Sequence, residues 1–176
     1  MKTLVRLAVL IAAFASLWVA TSRAEALEAI ALTPDQGRIE ITTRGEFYEG
    51  RGDSLQIETA ANADGTTGRL SVRASTPGTN PSWMVFALHN PTDVAVERWV
   101  SADRYTIIGS GIVWPDLDAR RIETVTPSIG FVPERIESDR ADVFRITLEP
   151  KQTITYVAEL SSERFARIFV WTPLEY

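Results

Sequence analysis

The sequence predicts an all-β protein: a jelly-roll-like antiparallel β-sandwich preceded by a signal peptide. Short segments of alternating apolar and polar residues recur along the chain, turn-forming residues separate them, and no cysteine occurs anywhere. Alternation with a period of two is typical of strands that bury one face. Many short strands between Gly- and Pro-containing turns favour two packed antiparallel sheets.

The first 24 residues have the layout of an export signal. Lys2 and Arg6 are followed by an unbroken apolar run over residues 7–20 and then by small side chains at Ser22 and Ala24. This order predicts cleavage after Ala24. The alternative is an uncleaved anchor, but the run is shorter than the ~18 residues that usually span a membrane. We therefore expect an exported protein, in the periplasm or on the outer face of the inner membrane.

The rest of the chain is expected to form one domain, since about 150 residues can bury a sufficient core without a second domain. Residues 25–37 form a lead segment, in which 25–32 has a helix-favouring composition, and residues 38–176 form the sandwich. Ten strands are predicted within it: 38–43, 55–59, 69–74, 83–89, 94–100, 105–108, 121–126, 143–148, 153–160 and 167–171. Turn pairs lie between several of them: Asp64-Gly65, Pro77-Gly78, Asn90-Pro91 and Pro150-Lys151.

Alternation also predicts the core. Each set of inward residues shares one face of a strand. The sets are Met84, Phe86 and Leu88; Val94, Val96 and Val100, a row that Arg98 interrupts; Phe144, Ile146 and Leu148; and Ile154, Tyr156 and Ala158.

Charge and composition exclude several functions. The net charge is −5, and no block of Lys and Arg is present. Nucleic acid and anionic lipid both require a concentrated basic face, so neither is expected as a partner. With one histidine and no cysteine, no metal or other cofactor is expected. "NADG", residues 62–65, lacks most ligands of a calcium loop and is predicted to be a tight turn.

No catalytic constellation stands out, and we expect the chain not to be an enzyme. His89 is predicted to lie at the end of a hairpin, partly exposed, rather than to act as a general base. Ser110 lies in "GSG", residues 109–111, which lacks the G-x-S-x-G elbow of hydrolases. "RGD", residues 51–53, follows Gly50, contains Gly52 and precedes a predicted strand, and it is predicted to be a solvated turn rather than an adhesive motif.

Residues 109–121 are the best candidate for a binding loop, because long connections often carry function. The loop offers an aromatic platform beside charged groups, which is the usual form of a small-ligand pocket. The predicted ligand-binding residues are Trp99, Tyr105, Trp114, Asp116, Asp118 and Arg120. Two alternatives stay open. Trp114 could simply cover the sandwich edge, and Asp116 with Asp118 could hydrolyse glycosides, although their i, i+2 spacing is unusual for that chemistry.

Three stretches in succession carry a resemblance to a known family: "WMVFALHNPTDVAVERWV", "RIETVTPSIGFVPERIESDRADVFRITLEPKQTITYVAELSS" and "RIFVWTPLEY". Over residues 50–176 the chain resembles the exported β-sandwich sensor module of bacterial membrane receptors with diverse intracellular signalling outputs (7TM-DISM extracellular-like). It is similar in particular to those whose cytoplasmic part makes or degrades cyclic di-GMP. The resemblance implies that "VFRITLEPKQTITYVAEL" forms a hairpin, and it carries no catalytic residues across.

The expected function is therefore that of an extracytoplasmic sensor domain of a receptor. Its membrane helices and its cyclic di-GMP cyclase or phosphodiesterase would lie beyond this chain, and membrane attachment would occur only through those parts. The expected partner is a small molecule, with carbohydrate as one class, or a periplasmic protein. The alternatives are a free-standing structural or adhesive sandwich and a glycan-processing enzyme.

Overall fold

In the described residues the regular secondary structure is almost entirely short strands. The computed structural model describes residues 27–107, 113–115, 121–161 and 167–176, with the backbone alone at Tyr105–Ile107 and Val113–Pro115. The strands of this part are β1 Ala29–Ala31, β2 Ile39–Glu40, β3 Glu46–Tyr48, β4 Ser54–Glu58, β5 Arg69–Arg73, β6 Ser82–His89, β7 Val96–Asp103, β8 Tyr105–Ile107, β9 Val113–Pro115, β10 Ile122–Pro127, β11 Glu134–Ile136, β12 Ala141–Leu148, β13 Thr153–Leu160 and β14 Ile168–Trp171. A short 3-10 helix, Thr42–Arg44, takes up the last two residues of the strand predicted at 38–43.

Two five-stranded sheets form the sandwich. Sheet I has the order β1-β6-β13-β10, with β3 also paired to β6, and sheet II has the order β11-β12-β7-β14-β2. The all-β sandwich prediction is confirmed. Pairing is antiparallel except between β1 and β6, which run parallel. The helix-favouring composition of residues 25–32 is therefore misleading, because β1 gains backbone hydrogen bonds from a buried neighbouring strand that no local pattern reveals.

The core lies between the sheets and is made by the predicted alternation. Met84, Phe86 and Leu88 of β6 pack in one cluster with Phe144, Ile146 and Leu148 of β12 and with Ile154, Tyr156 and Ala158 of β13. Tyr156 stacks on Phe86 with ring centroids 5.4 Å apart. Arg98 occupies an inward position of β7 and is only 5% exposed. Its guanidinium donates to the carbonyls of Thr33 and Glu97, which satisfies part of its hydrogen-bonding capacity.

The hairpin of β4 and β5 forms a partial third layer over sheet I. Its side chains Leu55, Ile57 and Val72 pack on the outward-facing Trp83, Val85 and Val157. Every residue of β13 is consequently buried, including Thr155 and Val157, which alternation alone placed on a solvated face. The hairpin itself turns at "NADG", where the Gly65 amide donates to the Asn62 carbonyl and Gly65 has φ +78.

Four connections cross from one sheet to the other at the same end of the sandwich: residues 32–38, 90–95, 128–133 and 149–152. We call this end the arch end. Two of these connections were predicted to be hairpins, and both predictions are wrong. β6 and β13 pair within sheet I, whereas β7 and β12 pair within sheet II, so each predicted hairpin is an arch between sheets. A short polar turn between two apolar strands allows either geometry, and only tertiary pairing decides between them.

The prediction that Val94 faces the core is also wrong, because β7 begins at Val96 and Val94 lies in the arch, 62% exposed. Within the described residues, no helix is long and apolar enough to cross a membrane.

Candidate functional site: an aromatic patch on sheet II

The outer face of sheet II carries a cluster of aromatic rings. Trp99 of β7 lies directly opposite Trp171 of β14 in the strand register. Tyr176 packs edge-on against both indoles, with ring centroids 5.2 Å from Trp99 and 5.8 Å from Trp171. Both tryptophans are half-buried, and Tyr176 is 43% exposed. We call Trp99, Trp171 and Tyr176 the aromatic patch.

The indole N–H groups of the patch are already hydrogen-bonded. Trp171 Nε1 donates to Ser101 Oγ at 2.8 Å, and Trp99 Nε1 donates to Glu97 Oε1 at 3.2 Å. These bonds hold the rings at defined angles to the sheet. Because the polar edges are satisfied, a further group can contact the indoles by stacking on the parts of the ring surfaces that Tyr176 and Arg38 leave open.

Charged side chains border the aromatic patch on both sides. Arg145 of β12 lies opposite Trp99 in the register and forms an ion pair with Glu134. On the other side, the Arg38 guanidinium lies 3.7 Å from the centroid of Phe169 and 5.0 Å from that of Trp171, within the range of cation–π attraction. The site therefore combines ring faces with hydrogen-bond donors and acceptors at its edges.

Three of the six predicted ligand-binding residues lie in the described part of the chain, and the other three lie outside it. Trp99 belongs to the aromatic patch. Tyr105 and Trp114 lie on adjacent paired strands, with Thr106 opposite Trp114 and Tyr105 opposite Pro115. Asp116, Asp118 and Arg120 lie outside the described residues, as does Ser110. Trp171 and Tyr176 were missed, although a Trp five residues before the final aromatic of "PLEY" is visible in the sequence.

Asp142, a residue that the sequence reasoning also missed, contacts Arg104 and Ile122, which lie on either side of the predicted binding loop. Asp142 is 1% exposed and accepts from Arg104 at 2.5 Å and from Arg135 at 2.6 Å. Its second carboxylate oxygen accepts from the backbone amide of Ile122 at 3.2 Å. Arg104 directly precedes β8 and Ile122 begins β10, so one buried carboxylate fixes the start and the end of the intervening segment. Asp142 shares the inward-facing side of β12 with Phe144 and Ile146. An acidic residue at such a position is the sequence signal that could have identified it.

His89 lies at the end of β6, as predicted, although that end is an arch. Its Nδ1 is 3.0 Å from the Thr153 hydroxyl, directly across the strand pair. The contact fixes the ring at the arch end of sheet I. Among the described residues, no group of three or more His, Asp and Glu side chains is placed to hold a metal ion.

The carboxylate of the "RGD" tripeptide forms hydrogen bonds within the protein. Asp53 accepts hydrogen bonds from the backbone amides of Gly78 and Asn80. These bonds lower the pKa of the Asp53 carboxyl below its ordinary value. The tripeptide therefore acts as a turn that ties residues 51–53 to residues 78–80.

No family model, curated protein or solved structure matches this chain.

Proposed function

We propose that this chain is the extracytoplasmic sensor domain of a bacterial signal-transduction protein and that it binds a small molecule at the aromatic patch. The observation that carries this proposal is the direct pairing of Trp99 with Trp171 on an outward sheet face, bordered by Arg38 and Arg145. In the proposed receptor, membrane helices and a cyclic di-GMP cyclase or phosphodiesterase lie beyond this chain.

Carbohydrate is the ligand class that suits such a patch. A sugar ring has an apolar C–H face that can stack on indole, while its hydroxyls require donors and acceptors at the edges of the same site. Arg145, Glu97 and Glu134 supply both kinds of group beside Trp99. A ligand on Trp99 and Trp171 would compete with the ring of Tyr176 for the same faces.

Calorimetric titration of residues 25–176 with glucose, galactose, N-acetylglucosamine, maltose and cellobiose tests the binding proposal. We expect saturable binding of at least one of them with a Kd between about 10 μM and about 1 mM. If none of these sugars binds at concentrations up to about 10 mM, the carbohydrate assignment is wrong.

The receptor part of the proposal is tested by reading the gene beyond the codon for Tyr176. Membrane-spanning segments followed by a cyclic di-GMP enzyme domain would support it. A stop codon at that point in the chromosomal gene would contradict it.

A free-standing structural or adhesive sandwich is the second candidate. It is favoured by the fully exposed Phe131 and its neighbour Val132, which are 98% and 73% exposed. A glycan-processing enzyme is a third candidate, and it depends on Asp116 and Asp118, which lie outside the described residues. Release of reducing sugar from a polysaccharide would be required for that function.

A further inference from the structure

Large exposed apolar side chains concentrate at the arch end. Of those in the described part of the chain, five lie there: Val94 at 62% exposure, Ile129 at 49%, Phe131 at 98%, Val132 at 73% and Leu174 at 99%. Val94 belongs to the arch of residues 90–95, and the next three belong to that of residues 128–133. β14 runs towards this end, which brings Leu174 there after the strand ends at Trp171. Scattered exposed apolar residues are ordinary, but concentration at one end points to an interaction surface.

Two depressions are bordered by these side chains. One, of about 460 Å³, lies under residues 128–133, and its floor is formed by the core residues Ile146, Ile154 and Tyr156. The other, of about 520 Å³, is bordered by Val94, Leu174 and Pro34. Each is large enough for more than one side chain of a partner. The arches at residues 90–95 and 149–152 lie between the two depressions, and hydrogen bonds from Asn90 join them.

Acidic side chains outnumber basic ones around this apolar surface. Asp35, Glu149 and Glu175 are exposed at the arch end. The exposed Lys151 is paired with Asp93 at 3.1 Å, so it neutralises a neighbour rather than these acids. Arg145 lines the first depression but is paired with Glu134, and Arg98, which lines the second, is only 5% exposed. A partner must therefore bring both apolar side chains and positive charge.

We infer that the arch end docks a polypeptide segment in which apolar side chains are interspersed with Lys or Arg. The apolar side chains enter the two depressions, and the basic side chains face Asp35, Glu149 and Glu175. The acidic rim disfavours an anionic lipid surface, and it disfavours a second copy of the same end for the same reason. This inference does not depend on the proposed sugar site, which lies on the face of sheet II.

Amide chemical-shift mapping of isotope-labelled residues 25–176 tests the inference. The probe is a 12-residue peptide of alternating Leu and Lys pairs, and the matched probe replaces each Lys by Glu. We expect saturable shifts with the Leu/Lys peptide at residues 93–97, 129–134 and 172–175 and none at β4 or β5. The double variant Phe131→Ser and Leu174→Ser should weaken this binding by about tenfold or more. The control Gln56→Ser, on the exposed face of the β4–β5 hairpin, should leave it unchanged.

Several results would overturn the inference. Equal binding of the Leu/Glu peptide would remove the charge argument, and shifts spread over the whole surface would remove the location. Failure of both peptides to bind would also contradict it. Binding of phosphatidylethanolamine/phosphatidylglycerol vesicles that is lost in the double variant would identify the surface as lipid-binding. A dimer that dissociates in that variant would identify the partner as a second copy.

Discussion

The side-chain amide of Asn90 donates a hydrogen bond to the carbonyl of Leu148 across 3.2 Å and thereby joins two arches that are far apart in sequence. The same amide donates to the carbonyls of Val94 and Glu149, and its oxygen accepts from Thr92. Asn90 is completely buried. It therefore replaces water for several backbone groups where the chain leaves one sheet and enters the other.

Replacement of Asn90 by Ala should lower the free energy of unfolding by about 3 kcal/mol, because several buried backbone groups lose their partner at once. Urea denaturation of residues 25–176 measures this change. The exposed Asp93→Asn, which alters only the surface pair with Lys151, should cost less than about 0.5 kcal/mol and serves as the control. Equal stability of Asn90→Ala and the native chain would contradict this role.

Asp142→Asn should destabilise the fold by about 3 kcal/mol, because Arg104 and Arg135 then lose a buried counter-charge. Hydrogen exchange of the Ile122 amide should accelerate in the same variant, since that amide donates to Asp142. Glu134→Gln, which breaks an exposed pair with Arg145, provides the comparison and should change stability by less than about 0.5 kcal/mol. If the two variants are equally stable, Asp142 does not anchor the segment.

Asp53 should titrate below its ordinary pKa of 3.8, because the Gly78 and Asn80 amides stabilise the charged form. A lowered folded-state pKa contributes stability that is present above pH 3.8 and is lost as the pH falls through the folded-state value. The Gly78 amide proton shift, followed by NMR between neutral and acidic pH, should report a midpoint below 3.8. A midpoint at or above that value would show that the amides do not hold the carboxylate.

His89→Ala should leave sugar binding unchanged within about twofold, since the ring contacts Thr153 at the arch end and not the aromatic patch. Calorimetry with whichever of the five sugars binds the native chain measures this. A loss of binding in a variant that is still folded would place His89 in the ligand site.

Local pattern predicted the faces of the strands well but not their partners. Alternation placed Phe86, Ile146 and Tyr156 in the core because side-chain direction repeats every two residues whatever the neighbouring strand is. It could not distinguish an arch from a hairpin at Asn90, because that choice depends on pairing with a strand more than fifty residues away. The third layer could not be predicted for the same reason. Alternation assigns Val157 to a solvent-facing position, and only the tertiary fold shows that the β4–β5 hairpin covers it.

The site was only partly predictable. Trp99 could be selected from its residue type, whereas its pairing with Trp171 follows from the order of strands in sheet II. Asp142 could have been recognised as an acid at an inward position. Its partners Arg104 and Arg135 come from two other segments, and alternation contains no information about those contacts.

If Trp99 and Trp171 form the ligand platform, removing either indole must weaken ligand binding, and the affinity of single tryptophan variants measures this. Calorimetric titration should show that Trp99→Ala and Trp171→Ala each weaken binding of the recognised sugar by about tenfold or more, because each removes one stacking face. Trp83→Phe, a change in the buried cluster between sheet I and the β4–β5 hairpin, should retain the native affinity if the variant is folded. Native affinity in both alanine variants would show that the two indoles do not form the ligand platform.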